Sequence, residues 1–234
     1  MKKFTKKAEE KKRDAVTGNA NENEVTELVF ILDRSGSMHG LEGDTVGGFN
    51  SLVEQQRRLP GKVLLSVVLF DDESKVLYDR VDINSIPAMT VKDFTVGGCT
   101  ALIDAMGDAI HHIGNVHKYA RPEDVPDHTV FAIMTDGMEN ASHRYTSDDV
   151  KRKVERQKEK YGWEFLFMAA NIDAAETAKT YGIAPDRAVE FCSDSCGTQL
   201  NYKTVSRVIG SVRECGCVPD DWQADILEDM ASRK

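Results

Sequence analysis

Asp33, Ser35 and Ser37 stand at alternate positions directly after an apolar run, Val29-Phe-Ile-Leu32, and place three oxygen donors on one short loop. Gly36, between the serines, lets the backbone turn sharply enough to aim them at a common point. Hard oxygen donors of this kind suit magnesium, manganese or calcium rather than zinc. Two later stretches supply further donors. Thr100 follows Gly97 and Gly98 just ahead of an amphipathic segment, and Asp136 ends a second apolar run, Phe131-Ala-Ile-Met-Thr135.

The order D-x-S-x-S, then a threonine after a glycine pair, then T-D-G at the end of a later strand resembles the von Willebrand factor A domain with a complete metal-ion-dependent adhesion site. The resemblance covers Glu27 to Val212 and is similar in type to bacterial intracellular members. It implies that Ser35, Ser37 and Thr100 give hydroxyl ligands to one metal ion, with Asp33 and Asp136 acting directly or through water. Magnesium or manganese is expected ahead of calcium. The function implied is metal-dependent binding of a partner protein, whose Asp or Glu completes the metal shell. Arg34, Met38, His39 and Met138 then form the rim that meets the partner, and the Gly97-Gly98 pair allows movement before Thr100. Relatives of this kind often act beside AAA-type ATPases, which makes an adaptor role one alternative.

Enzyme templates fit the same residues poorly. A haloacid-type phosphatase needs a second Asp two residues after the first, where this chain has Ser35. A nucleophile elbow requires Gly-x-Ser-x-Gly, and neither Ser35 nor Ser37 is so flanked. The phosphate loop Gly-x4-Gly-Lys-Ser/Thr is also absent. A non-enzymatic binding module is the first expectation, and a metal-dependent phosphoester hydrolase is the other alternative.

Buried strands alternating with amphipathic helices predict a doubly wound, Rossmann-like α/β sheet. It should be six-stranded and mostly parallel, with one antiparallel edge strand and helices on both faces. Val29 to Leu32 is the first strand, with no polar face. Asp44 to Leu59 reads as a helix despite Gly47-Gly48, which close packing against the sheet would explain. Val63 to Phe70 and Val76 to Ile83 are joined too tightly to be parallel, so they form a hairpin. A helix from Ala101 carries Leu102, Met106, Ala109, Ile110, Ile113 and Val116 inward, with His111, His112 and His117 facing solvent. Val130 to Thr135, Trp163 to Ala170 and Ala188 to Phe191 complete the strands. Ser147 and Asp149 open a solvated outer helix, Asp173 to Tyr181 a short one, and Gln199 to Arg213 a longer one. Pro219 fits the first turn of a last helix, with Trp222, Ile226 and Met230 on one face.

The 234 residues suffice for one sizeable core. The expected organisation is a basic, disordered tail at 1–24, the α/β domain at 25–217 and a C-terminal amphipathic helix at 218–234. Residues 1–13 hold seven basic and two acidic side chains, so the rest of the chain is more acidic than the net −9. That balance argues against nucleic-acid affinity of the folded body. No segment approaches the roughly 18 apolar residues of a membrane span, and no apolar signal core opens the sequence, so a cytoplasmic protein with reduced thiols is expected. Cys192, Cys196, Cys215 and Cys217 are spaced C-x3-C and C-x-C, unlike the paired C-x2-C of a zinc site, and are expected to be ordinary thiols.

Overall fold

The computed structural model describes residues 24–233. The expected tail therefore lies outside the described residues, apart from Glu24. Six strands, β1 (Val25–Asp33), β2 (Lys62–Phe70), β3 (Ser74–Asp82), β4 (His128–Thr135), β5 (Glu164–Ala169) and β6 (Ala188–Glu190), form one sheet. Their order is β3-β2-β1-β4-β5-β6. Every neighbouring pair is parallel except β2 with β3, which is the hairpin the short connection demanded.

Among the described residues six α-helices cover the sheet: α1 (Glu42–Arg57), α2 (Leu102–Tyr119), α3 (Ser147–Tyr161), α4 (Ala174–Thr180), α5 (Ser195–Cys215) and α6 (Ala224–Ser232). The two-residue period of β1 sorts the core into two layers. Leu28, Phe30 and Leu32 point toward Phe49 and Leu52 of α1 and Val205, Val208 and Ile209 of α5. Val29 and Ile31 point the other way, into Met106, Ile110 and Ile113 of α2 and Val150 and Val154 of α3. Burial on both faces explains why β1 reads as an unbroken apolar run.

Several local expectations are corrected. Only Gly48 of the Gly47-Gly48 pair is sterically required, and its neighbour is a helix rather than the sheet. A Cβ there would stand 2.4 Å from Cδ2 of Tyr202 on α5, whereas one at Gly47 meets nothing within 4 Å. The outer helix does start at Ser147 as expected, and Thr146 before it forms a capping box with Asp149. Pro219 does not open the last helix. Residues 220–223 make a turn, and α6 begins at Ala224. Trp222 is nonetheless buried, with its indole N–H donating to the Asp186 carbonyl at 2.8 Å, so the C-terminal segment is fastened to the domain. His111 and His112 are exposed as expected, but His117 is not. Its side chain is 8% exposed and its Nε2 lies 2.6 Å from Oε2 of Glu27.

Candidate functional site

Chain order reverses at β1: β2 lies on one side of it and β4 on the other. In an open α/β sheet the crevice outside the strand ends at such a point is where ligands bind. Asp33 ends β1, and Asp136 directly follows the last residue of β4. The parallel register of the two strands, Leu32 beside Met134, brings both carboxylates to that crevice.

Three connections are stitched together around them by backbone hydrogen bonds. Arg34 N–H donates to the Phe70 carbonyl at 2.8 Å, Gly97 N–H to the Arg34 carbonyl at 2.9 Å, and Gly36 N–H to the Gly98 carbonyl at 3.1 Å. Gly98 has a φ of +73°, and a Cβ there would stand 2.3 Å from an Asp72 carboxylate oxygen. The glycine pair before Thr100 is thus held in place at both residues. Thr100 is fixed in turn, its N–H donating to Oδ1 of Asn140 at 2.9 Å.

Asp33 is 1% exposed. Its Oδ1 accepts from the Ser35 N–H at 2.7 Å and its Oδ2 from the Thr135 hydroxyl at 2.6 Å. Burial is the main force raising the pKa of this carboxyl, and the charge of Asp136 adds to it, while the Ser35 and Thr135 hydrogen bonds pull the other way. Asp136 is 2% exposed. Its Oδ2 accepts from the Ser193 hydroxyl at 2.8 Å, and its Oδ1 is buried with no hydrogen-bond partner. The Ser35 and Ser37 hydroxyls are 3.0 Å apart. A Cβ built on Gly137 would lie 3.4 Å from Oγ of Ser37 and 3.6 Å from Oγ1 of Thr100, so these two hydroxyls flank one small space.

All five expected donors therefore come from loops at the same sheet edge. Two buried carboxylates, one oxygen of which lacks any donor, and three hydroxyls form a donor set that fits a hard divalent cation. No group of three or more His, Cys, Asp or Glu side chains converges as a metal site among the described residues. The arrangement uses hydroxyls where such a group would use a third carboxylate or imidazole.

The rim differs from expectation at two residues. Met38 is buried and packs in the core layer of α1 and α5 rather than facing outward. Arg34 is already engaged: its Nη2 lies 2.7 Å from Oδ2 of Asp71 and its Nη1 donates to Oγ1 of Thr95 at 3.3 Å. An acid of a partner would have to compete with Asp71 for that guanidinium. His39 is exposed, and Met138 is 71% exposed.

Other residues that build the site were not singled out in the sequence. Ser193, after β6, supplies a side-chain donor to the Asp136 carboxylate, and Asn171, after β5, donates from Nδ2 to the Asp136 carbonyl at 3.2 Å. Glu139 and Asp104 shape the connection behind Asp136. Glu139 accepts from the N–H groups of Ile103, Ala141 and Ser142 at 2.8, 2.9 and 2.8 Å. Behind Asp33 a cavity of about 20 Å³ is lined by Thr45, Thr198, Asn201 and Tyr202 among others, room for about one water. The four cysteines do not converge on one point but fall into two separate pairs. Cys192 and Cys196 flank the start of α5 and Cys215 and Cys217 its end, separated by the roughly 30 Å length of a 21-residue helix.

Searches with protein-family models and of curated proteins return no match. Solved structures do match, and the chain has the fold of von Willebrand factor A domains. The von Willebrand domain of the type V pili tip protein Mfa5 from Porphyromonas gingivalis aligns with a TM-score of 0.61 at 10% identity, covering 85% of this chain and 99% of that one. Proximal thread matrix protein 1 of the mussel byssus, in a structure with a zinc-occupied MIDAS motif, aligns with a TM-score of 0.54 at 13% identity, over 82% of this chain and 47% of that one. The ArnB paralog VWA2 from Sulfolobus acidocaldarius gives 0.51 at 19% identity, over 80% and 45%. The chain spans less than half the length of the first three matched structures, 47%, 42% and 47%. No helix among the described residues is long and apolar enough to cross a membrane.

Proposed function

We propose that this chain is a metal-ion-dependent protein-binding module, without turnover of its own, that engages an acidic residue of a partner protein. The observation that carries the proposal is the uncompensated charge at the crevice: Asp33 and Asp136 are buried together, and Oδ1 of Asp136 has no donor. Ser35, Ser37 and Thr100 would hold one magnesium or manganese ion, with Asp33 and Asp136 as direct or water-mediated ligands. A cation held largely by neutral hydroxyls keeps its positive charge available to an incoming carboxylate. The zinc-occupied site of the mussel protein supports divalent binding in this fold and leaves the choice of metal to the donor chemistry.

The protein's own part is positioning. The hydrogen bonds from Ser35 N–H and Thr135 fix both oxygens of Asp33, which suits a ligand held in place better than a mobile acid or base. His39 and Met138, both exposed, offer the partner a polar and an adaptable apolar contact. A cytoplasmic setting belongs to the same proposal.

Calorimetry tests the first half of this reading. Magnesium or manganese should bind near one to one, and the heat should vanish in Asp33→Ala. Unchanged binding in that variant would sink the assignment. The second half is tested by pull-down in manganese against chelator, followed by single Asp→Asn and Glu→Gln changes on the captured partner. One such change should reproduce the loss caused by Thr100→Ala; capture that survives every neutralisation yet still needs metal would remove the bridging carboxylate.

A further inference from the structure

At the other end of α5, about 30 Å from the crevice, two thiols meet in solvent. The Cys215 and Cys217 sulfurs are 2.7 Å apart, and both residues are exposed. Gly216 between them makes the approach possible. It caps α5 in the left-handed region with a φ of +69°, and a Cβ there would stand 3.1 Å from Cε1 of His128. A larger residue would strain the turn and press on the imidazole. The remaining polar atoms fix the pair: the Cys215 thiol donates to the Ser211 carbonyl at 3.0 Å, and the Ser211 hydroxyl donates to the Cys217 carbonyl at 3.0 Å.

We propose that Cys215 and Cys217 form a thiol–disulfide exchange site that takes a disulfide as its substrate and stores the oxidation as a Cys215–Cys217 disulfide. The two thiols have unequal roles. Burial works against ionisation of Cys215, but the hydrogen bond from Cys217 and the Ser211 hydroxyl, which can turn from the Cys217 carbonyl to the Cys215 sulfur, outweigh it and lower its pKa, while the contact with Cys215, followed by burial, raises that of Cys217. Cys215, whose sulfur has the Ser211 hydroxyl 3.4 Å away as a donor to its thiolate, is the attacking thiol and Cys217 the resolving one.

With glutathione disulfide as oxidant, the Cys215 thiolate attacks one sulfur, the substrate S–S bond breaks, and one glutathione leaves as thiolate and takes a proton from water. Cys217 then gives up its proton to solvent, and its sulfur attacks that of Cys215, expelling the second glutathione. Two protein thiols are oxidised to one disulfide, and one disulfide is reduced to two thiols. An exposed disulfide in so small a ring is the exchangeable kind rather than a structural brace. None of this depends on the metal-binding reading, because no donor of the crevice takes part.

The test treats the folded, full-length, reduced protein with glutathione disulfide, quenches with acid, and reads the tryptic peptide 214–233, which holds only these two cysteines, by mass. The wild-type peptide should lose two hydrogens and retain no glutathione, before Cys99, Cys192 or Cys196 is modified. Cys217→Ser should retain one glutathione on Cys215, since the resolving thiol is gone and the serine hydroxyl still donates. Cys215→Ser should react at Cys217 about tenfold more slowly than Cys217→Ser reacts at Cys215. Glutathione retained by the wild-type peptide, equal rates in the two variants, or earlier modification of any other cysteine would each overturn the proposal. Both variants change exposed residues, and a circular dichroism melt matching wild type shows that the readout concerns the folded protein.

Discussion

Glu27 and Asp33 lie six positions apart on the same strand, both out of contact with solvent, and the protein treats their charges in opposite ways. Glu27 is 0% exposed, and each of its oxygens has a basic partner: Arg80 Nε at 2.7 Å and His117 Nε2 at 2.6 Å. Reaching it requires effort from the fold. Arg80 sits in the left-handed region with a φ of 52°, near an irregularity in the β2–β3 register, and its N–H is held by the Ser66 hydroxyl at 2.9 Å. Asp33 receives only neutral donors and faces a second carboxylate. A buried charge without a compensating partner is expensive. At one end of β1 the chain supplies the counter-charge itself; at the other it supplies none, which is the charge the proposed cation would meet.

The largest effect expected from this contrast is at Glu27. Glu27→Gln should destabilise the fold by about 3 kcal/mol, because it removes the charge that Arg80 Nε and His117 Nε2 face; partial exposure of Arg80 keeps the figure at the low end of the usual range. Urea unfolding measures it, and a change within experimental error would mean that the internal pairing carries no stability. Asp33→Asn should behave in the opposite sense. In chelator its stability should equal or exceed that of wild type, since the substitution removes a charge that burial disfavours. Saturating cation at about 100 times its Kd should add about 2.7 kcal/mol to wild type and nothing to the variant. An Asp33→Asn protein as damaged in chelator as Glu27→Gln would show that the two carboxylates are not different after all.

Only one side of this contrast was legible in the sequence. Asp33 ends β1 and Asp136 follows β4, with Ser35 and Ser37 on the loop after β1 and Thr100 just ahead of α2, and a strand end marks its own place in a parallel sheet. The sheet topology was equally open to reading, because apolar runs and one very short connection leave few alternatives. Glu27 was missed because its partners are 53 and 90 residues away and one of them is turned inward by a backbone irregularity that no residue type announces. His117 was misplaced for the same reason, lying beside the apolar stripe of α2 as a solvent-facing residue would. Met38 and Arg34 were assigned to the rim by sequence proximity to the donors. On so tight a loop adjacent side chains diverge, one into the core and one onto Asp71.

Asp104 gives a case between the two extremes. It is a buried carboxylate satisfied chiefly by backbone, accepting from the N–H groups of His143, Arg144 and Tyr145, each at 2.9 Å, with Arg144 Nε 3.5 Å from Oδ2. Burial pushes its carboxyl upward, but these three donors and the Arg144 charge outweigh that and hold it below the ordinary carboxylate range. A carboxyl depressed in the folded state contributes stability above its unfolded pKa and loses it as pH falls through the folded value. Asp104→Asn should therefore cost about 2 kcal/mol at neutral pH, and the gap to wild type should close as the pH drops below about 4. Parallel unfolding curves across that range check the sign. A gap that widened in acid would show that the Asp104 carboxyl is raised, as that of Asp33 is, rather than depressed.

The smallest effect expected is at Gly137, and it asks whether the space between the hydroxyls is itself the site. An added methyl would stand 3.4 Å from Oγ of Ser37 and 3.6 Å from Oγ1 of Thr100, ordinary contact distances, and Gly137 is not among the glycines with positive φ. Gly137→Ala should therefore fold normally, with chelator stability within about 0.5 kcal/mol of wild type, as for a substitution that breaks no buried contact. The methyl nevertheless occupies room that a hydrated cation would use and turns apolar surface toward it. Removing or crowding a supporting group at a metal site commonly weakens the metal by 10- to 100-fold. Since every ligand survives in this variant, a loss of about tenfold in manganese affinity by calorimetry is expected. Unchanged affinity would place the ion elsewhere along the crevice, nearer Asp33 than the gap between Ser37 and Thr100.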